Sequence, residues 1–119
     1  MILTIFRSRL HPGNETEYES FVKSTSALAE RSPGFLGHKM YFAPDGERLT
    51  LVEFDSVENQ RAWSLSAEHR AAAKAGRMNF YETYRIQICR VMRDSTFVRK
   101  HEGVKAPSSA GACPFQTAA

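Results

Sequence analysis

Three short turn signals divide the first part of the chain into periodic segments, and the order of these segments restricts the fold more than any other feature. The turns are H-P-G-N at 11–14, S-P-G at 32–34 and P-D-G at 44–46. Proline and glycine oppose continuation of a helix or a strand, so an element ends at each turn. The remaining segments predict strands at 2–10, 35–43, 47–55 and 84–93, a helix at 15–31 and a helical region at 56–76.

The predicted order of elements is β-α-β-β-α-β. The first helix carries one apolar stripe at helical spacing, from Tyr18 to Leu28. The second and third strands are joined by so short a loop that they predict an antiparallel hairpin. This order is typical of the ferredoxin-like split motif, in which the helices lie on one face of an antiparallel sheet. The sequence therefore predicts one α+β domain over residues 1–94.

The strands are apolar on both faces. In the last strand, Tyr84, Ile86 and Ile88 point one way, while Cys89 and Val91 point the other way. The helices can cover only one face of such a sheet, and a large exposed apolar face is unusual on a soluble monomer. The sequence therefore predicts a homodimer in which two sheets pack face to face about a two-fold axis.

The C-terminal residues 95–119 form a second region. They include A-P-S-S-A-G-A-C-P-F and have no hydrophobic periodicity, a composition typical of disorder. The alternative is an arm that docks on the other subunit of the dimer through Phe97 and Phe115.

Charge and cysteine content exclude several classes of function. The chain has 119 residues and a net charge of +3, and residues 1–94 carry only +1. A nearly neutral body without clustered basic residues argues against nucleic-acid binding. The two cysteines, Cys89 and Cys113, have neither disulfide-framework nor zinc spacing. Arginines interrupt the first apolar run too early for a signal peptide or a membrane span, so we predict a cytoplasmic protein without membrane or metal.

The stretch from 56 to 70 holds the strongest candidates for a site. It contains the single tryptophan, Trp63, with Asn59 four residues before it and His69 six residues after it. Residues four apart share a helix face, and Ser66 can cap a second helix that carries His69. Each residue also has a structural explanation: Trp63 can fill the core, Asn59 can bond at the helix start, and His69 can be solvated or capping.

Further candidates lie on the strands. We include Arg85, His38 and Glu53. The structural alternatives are an interface ion pair for Arg85, a hydrogen-bonded buried histidine for His38 and a cross-strand partner for Glu53.

The pattern W-x-x-x-x-E-H-R at 63–70, together with the strand Y-R-I-Q-I-C-R-V at 84–91, resembles the antibiotic biosynthesis monooxygenase superfamily. The resemblance covers roughly residues 1–94. It implies a dimeric α+β barrel. It also implies that some relatives oxidise anthrone- or quinol-type aromatics with O₂ and without metal or flavin.

The resemblance also implies roles for four residues. In the oxygenase branch, an Asn and a Trp four apart, a hydrogen-bonding residue six further on and a basic residue on the last strand bound the pocket. Asn59 and Trp63 match in type and spacing, and His69 stands where a tyrosine can occur. Arg85 approximates the basic residue, at a different spacing.

These observations lead to one predicted function and two alternatives. We predict a cofactor-independent monooxygenase that acts on a small quinol-like or polyketide-type aromatic. Trp63 would stack on the substrate, Asn59 would hold an oxygen, His69 would accept a proton and Arg85 would stabilise an oxyanion. The first alternative is a non-catalytic ligand-binding or structural member of the superfamily. The second alternative is haem binding or degradation. The haem-degrading branch of the superfamily has an Asn on the first strand, where this chain has Phe6 and Arg7, and this difference argues against haem chemistry.

Overall fold

The computed structural model describes residues 1–100. The elements, in chain order, are β1 (Ile2–Leu10), α1 (Glu15–Glu30), β2 (Phe35–Phe42), β3 (Arg48–Phe54), α2 (Val57–Leu65), α3 (Ala67–Asn79) and β4 (Tyr81–Arg90). Residues 91–100 contain no helix or strand. The predicted tail arm, and Phe115 with it, lies largely outside the described residues, so it stays a prediction.

The four strands form one sheet in the order β2-β3-β1-β4, and every pair of neighbours is antiparallel. This is the predicted ferredoxin-like α+β architecture, so the predicted fold is confirmed. The short P-D-G turn connects β2 and β3 as a hairpin, and the β3-to-β1 pairing places the N-terminal strand in the middle of the sheet.

The second helical region differs from the prediction at its end. It breaks at Ser66 as expected, but α3 continues past Gly76 to Asn79 and is capped by Phe80. Gly76, where the predicted helical region ends, lies inside α3 and is buried, and a β-carbon there would lie 2.6 Å from the Tyr81 ring. The residue is glycine because that ring packs on the helix backbone.

The helix α1 starts at Glu15 as predicted, and the residue before it makes a tertiary contact. Asn14 stands at the N-cap position, but its side chain makes no capping hydrogen bond. Its Nδ2 instead donates to the carbonyl oxygen of Asn79 at 2.7 Å. The amide therefore joins the β1–α1 turn to the end of α3, a contact between distant residues that no local rule could predict.

The pairing register defines the two faces of the sheet. Residues directly opposite each other on neighbouring strands share a face. Gln60 of α2 bonds to Thr4, and Arg48 lies over the Tyr18 ring of α1, so the even-numbered residues of β1 face the helices. We call this side the helix face and the opposite side the outer face.

The core lies between the helix face and the helices. Its buried apolar residues are Ile2, Tyr18, Leu28, Ala29, Val52, Phe54 and Phe80. Aromatic rings of Phe6, Tyr18, Phe80 and Tyr81 pack edge to face near the start of β4. Such pairs add specific geometry to the burial of apolar area, and they fix where α1 and α3 sit on the sheet.

The outer face carries a second apolar surface, as predicted. Its apolar members are partly buried and come from three strands: Leu3, Ile5, Leu49, Leu51 and Cys89. The helix contacts that define the helix face all lie on the other side of the sheet.

Helix cover of the sheet is incomplete at β4. The register places Tyr84, Ile86 and Ile88 on the helix face, opposite Ser8, Phe6 and Thr4. The exposed fractions of Ile86 and Ile88 are 51% and 58%. The helices therefore leave an open apolar strip along this edge strand. Within residues 1–100, no helix is long and apolar enough to cross a membrane.

Candidate functional site

The break between α2 and α3 brings Trp63 and His69 together. Ser66 accepts a hydrogen bond from the His69 backbone N–H at 3.1 Å, and its hydroxyl donates to the Trp63 carbonyl at 2.9 Å. One serine therefore ends α2 and starts α3. This turn places the two rings edge to face, with centroids 4.4 Å apart. We call Trp63 and His69 the Trp–His pair.

The indole ring of Trp63 packs against the core on one side, and its N–H makes no hydrogen bond within residues 1–100. Its ring lies 5.1 Å from that of Phe54, a fully buried residue of β3. Its Nε1 is buried and has no hydrogen-bond partner among residues 1–100. A buried tryptophan N–H usually finds an acceptor, so this donor is the kind of group that a bound oxygen atom would satisfy.

Burial keeps the imidazole of His69 neutral at pH 7. Desolvation lowers the pKa of His69 below its ordinary value of 6.5, and a hydrogen bond to the Ser64 backbone opposes this only in part. Loss of hydration penalises the charged form of a base. A neutral imidazole can accept a proton, which is what proton abstraction from a phenolic substrate requires.

Asn59 shares α2 with Trp63, but its side chain is used elsewhere. Its Nδ2 donates to Asp55 Oδ1 at 2.9 Å, and its backbone N–H donates to Ser56 Oγ at 3.2 Å. The pKa of Asp55 is lowered chiefly by that amide. Gly34, which has a φ of +79°, packs directly against the two side chains. The amide thus ties the start of α2 to Asp55, and the Asp55 backbone N–H donates to the Gly34 carbonyl at 2.9 Å, which joins both to the turn before β2.

Arg85 does not join the Trp–His pair. It pairs with Arg7 in the sheet register, and odd-numbered residues of β1 lie on the outer face. The predicted convergence of all four residues on one pocket is therefore wrong for a single chain, because side chains alternate along a strand and Arg85 falls on the wrong side. The same register places Arg90 on the helix face, opposite Ile2.

His38 and Glu53 lie on opposite faces of the sheet, so they cannot line one pocket within a chain. His38 pairs with Val52 on the helix face, and its Nε2 lies 3.3 Å from Glu30 Oε2. It is hydrogen-bonded, but at the surface and not buried. Glu53 pairs with Leu3 on the outer face.

Gln60 is a residue that sequence reasoning missed. Only 2% of its surface is exposed, and its Nε2 donates to Thr4 Oγ1 at 3.2 Å. It lies one turn before Trp63, so it anchors α2 to the central strand just beneath the Trp–His pair. A glutamine in a helix ordinarily indicates a solvated face. The only sequence signal that Gln60 shares a helix face with Trp63 was the three-residue spacing between them.

Two surface cavities lie away from the Trp–His pair. One of about 470 Å³ is lined by Arg70, Lys74, Arg77 and two alanines of α3. Another of about 220 Å³ lies around Asn14, Asn79 and Tyr81. The larger cavity is formed by one face of a single helix, and its lining contains neither an aromatic side chain nor a histidine or carboxylate that could act as a base. We therefore place the candidate site by chemistry, at the Trp–His pair.

Metal ligation finds no support in the described part of the chain. Residues 1–100 contain no group of three or more His, Cys, Asp or Glu side chains that could hold an ion.

Comparison with known proteins identifies relatives of this chain. A family model described as antibiotic biosynthesis monooxygenase matches residues 1–75. An uncharacterised protein of Bacillus subtilis (strain 168), YqjZ, is 33% identical over 84 residues, which are 71% of this chain and 74% of that protein.

Solved structures share the fold. The crystal structure of SnoaB, a cofactor-independent oxygenase from Streptomyces nogalater, matches with a TM-score of 0.67 at 20% identity, over 78% of this chain and 94% of SnoaB. A conserved protein from Methanosarcina mazei matches with a TM-score of 0.66 at 14% identity, over 75% of this chain and 90% of the other. On the family match and the sequence relative together, the chain belongs to the antibiotic biosynthesis monooxygenase family.

Proposed function

We propose that this protein is a cofactor-independent oxygenase that inserts one oxygen atom of O₂ into a small quinol- or anthrone-type aromatic and releases the other as water, so that an anthrone becomes the corresponding anthraquinone. The observation that carries the proposal is the Trp–His pair, in which a buried, unpartnered indole N–H lies beside a neutral imidazole. The description of SnoaB as a cofactor-independent oxygenase supports the same chemistry.

The proposed reaction needs only a base, a hydrogen-bond donor and a dry surface. His69 accepts the hydroxyl proton of the enol form of the substrate, and the Trp63 N–H donates to an oxygen of the resulting anion. The electron-rich anion transfers one electron to O₂, and the superoxide and the substrate radical combine to form a carbon–oxygen bond. Protonated His69 returns its proton to the peroxide.

The product follows by loss of water. With an anthrone, the peroxide O–O bond breaks, one oxygen remains on carbon as a carbonyl, and the other leaves as water with the two hydrogens of the original CH₂ group. The carbon is thereby oxidised by four electrons and O₂ is reduced by four electrons, so the step needs no other reductant. Ile86 and Ile88, which are exposed on the same face of the sheet as the helices, offer an apolar surface on which a flat aromatic can lie.

The remaining predicted site residues have other roles in this proposal. Asn59 holds the α2 start through Asp55, so it orients Trp63 from a distance. His38 bonds to Glu30 at the surface of β2. A non-catalytic ligand-binding protein is the rival from a different class, and it predicts binding without oxygen consumption.

Oxygen uptake tests the proposal. Chelator-treated protein is mixed with a panel of anthrones, hydroquinones and catechols, alongside Trp63→Phe, His69→Ala and His11→Ala variants. His11 is exposed in the β1–α1 turn and serves as the matched histidine control. We expect uptake above autoxidation that falls at least about 100-fold in His69→Ala, the usual contribution of a general base. Equal rates in the wild type and His69→Ala would overturn the proposal.

The outer face is proposed to contact a second copy of the chain. Leu3, Ile5 and Leu51 form its apolar centre, and a two-fold axis would bury them against their own equivalents. Glu53 and Arg85 also stand on this face and have no ion-pair partner among residues 1–100. Two-fold symmetry allows Glu53 to pair with the partner subunit's Arg85, and the reverse.

Light scattering tests this interface. We expect a dimer for the wild type at micromolar concentration and a monomer for Leu51→Asp, because a buried unpaired carboxylate costs several kcal/mol. Leu36→Asp is the control, since Leu36 is already 55% exposed. If the wild type were a monomer, the proposed interface would be refuted, and the oxygenase proposal would be unaffected.

A further inference from the structure

The outward side of α3 carries a row of three basic side chains. Arg70, Lys74 and Arg77 are separated by four and then three residues, so they share one face of the helix, and all three are exposed. At 1.5 Å of rise per residue, the row is about 10 Å long. We call these three residues the basic row.

The charges of the basic row are not neutralised within the described part of the chain. The ion pairs among residues 1–100 all involve other side chains. The single acidic residue of α3, Glu68, pairs with Arg31 at 2.6 Å. Like charges three or four residues apart destabilise a helix, so a bound anion would relieve a repulsion that the free helix retains.

The helix dipole explains only one member of the basic row. Arg77 stands in the last turn of α3, where a cation interacts favourably with the partial negative charge of the helix end. Its Nη1 also lies 3.4 Å from the Tyr84 hydroxyl, an uncharged partner. Arg70 and Lys74 lie before the last turn, so the dipole gives no reason for a cation at either position.

The basic row borders a surface cavity. This cavity has a volume of about 470 Å³, and its lining consists of the basic row together with Ala71 and Ala73. The one-carbon side chains of the alanines leave the space between the long side chains open, and no acidic group lines it. Arg77 also lines the neighbouring cavity of about 220 Å³, beside Asn14 and Asn79. The two cavities therefore meet at one guanidinium.

Phosphoryl groups match this arrangement better than a carboxylate does. A carboxylate would neutralise one of the three charges, whereas a chain of phosphoryl groups carries several negative charges along a short length. Guanidinium groups bind phosphate oxygens through two parallel hydrogen bonds, and an ammonium group binds them as a point charge. The basic row offers two of the former with one of the latter between them.

We propose that the basic row is a binding site for an oligophosphate, either free or as the phosphate chain of a nucleotide, and that this site is separate from the Trp–His pair. The phosphate chain lies along Arg70 and Lys74. Arg77 holds its end, where the smaller cavity can receive the organic part of a nucleotide. The site binds its ligand and takes no part in the oxygen chemistry.

Calorimetric titration of the full-length protein with sodium tripolyphosphate tests the proposal, in a phosphate-free buffer of low ionic strength without divalent cations. We expect Arg70→Gln and Lys74→Gln each to weaken binding about fivefold, the upper range for an exposed ion pair. Glutamine has nearly the helix propensity of the residues it replaces, so α3 is retained. Arg61→Gln is the matched control: it removes an exposed arginine of α2, changes the net charge equally and should weaken binding less than about twofold.

Two further measurements identify the site and the form of the ligand. In ¹⁵N–¹H NMR spectra, tripolyphosphate should shift amide signals of residues 70–79, and added salt should reverse the shifts. Tighter binding of ATP than of tripolyphosphate would identify the nucleotide form, and equal binding would identify the free oligophosphate.

Four results would overturn the inference. They are no binding of tripolyphosphate at low ionic strength, equal weakening in Arg61→Gln and Lys74→Gln, NMR shifts confined to the basic stretch at 93–105, and tighter binding of a single-stranded oligonucleotide than of tripolyphosphate. The second would indicate a general attraction to positive charge, and the last would assign the basic row to nucleic acid. None of these measurements depends on oxygen consumption, so the oxygenase proposal can fail while this inference stands.

Discussion

A substitution at Gly34 tests whether the turn before β2 and the start of α2 form one packed unit. The residue combines a left-handed backbone, φ +79°, with two close side chains. A β-carbon there would clash with Asn59 Nδ2 and would lie 2.7 Å from Asn59 Cβ, well inside contact distance. Gly34→Ala therefore meets a backbone penalty and a steric one together.

The two penalties have separable magnitudes. A left-handed conformation costs a residue with a β-carbon about 1–2 kcal/mol. Overpacking against the Asn59 side chain adds about 1–3 kcal/mol, because Asn59 must leave its position beside Asp55. The expected loss is thus about 2–5 kcal/mol of unfolding free energy. Gly13→Ala is the matched control, since φ is +107° and nothing lies within 4 Å of its added carbon.

Urea unfolding followed by Trp63 fluorescence measures both variants. We expect Gly13→Ala to lose only the backbone part, about 1–2 kcal/mol, and Gly34→Ala to lose about 1–3 kcal/mol more. Equal losses in the two variants would show that Asn59 does not pack against the turn. The reasoning that assigns Asn59 to a fastening role would then fail.

Two further predictions concern His69 and Gln60. Because burial lowers the folded-state pKa of His69, the unfolded chain binds the proton more tightly, so the free energy of unfolding should fall as the pH drops below about 6.5, the ordinary pKa of histidine. The urea midpoints at pH 8 and pH 5 should therefore differ less in His69→Gln than in the wild type. An equal difference in the two proteins would contradict a buried, neutral imidazole. Gln60→Leu should lose about 1–3 kcal/mol of unfolding free energy, because the Thr4 hydroxyl is left without its donor. The double variant with Thr4→Val should recover much of this loss, since replacing both partners by apolar groups of similar shape is nearly neutral. A double variant as unstable as the single one would count against this hydrogen bond.

Recognition of the fold required little beyond local chemistry. The turns at 11–14, 32–34 and 44–46 ended elements where proline and glycine demanded it, and hydrophobic period assigned each segment. Ser66 was also readable, since a serine after a short helix and before an alanine-rich segment is a cap signal. These features depend on residues close in sequence, which is why they could be read there.

The candidate site was only partly readable. The six-residue spacing of Trp63 and His69 drew attention to both, but their contact depends on how sharply Ser66 turns the chain. The engagement of Asn59 with Asp55 next to Gly34 joins α2 to a turn some 25 residues earlier. A sequence pattern shows which residue types are present, but it does not show which partner each side chain contacts in the folded structure.

The register of β4 was decided by tertiary structure alone. Side chains alternate between faces, so a shift of one residue exchanges Arg85 and Arg90 between the outer face and the helix face. That register is set where Tyr81 packs into the space left by Gly76, at an irregularity between Arg9 and Leu10. The element order, the two-sided apolar sheet and the Trp–His spacing follow from the residue pattern along the chain. Packing of rings far apart in the chain determined which arginine shares a face with that pair.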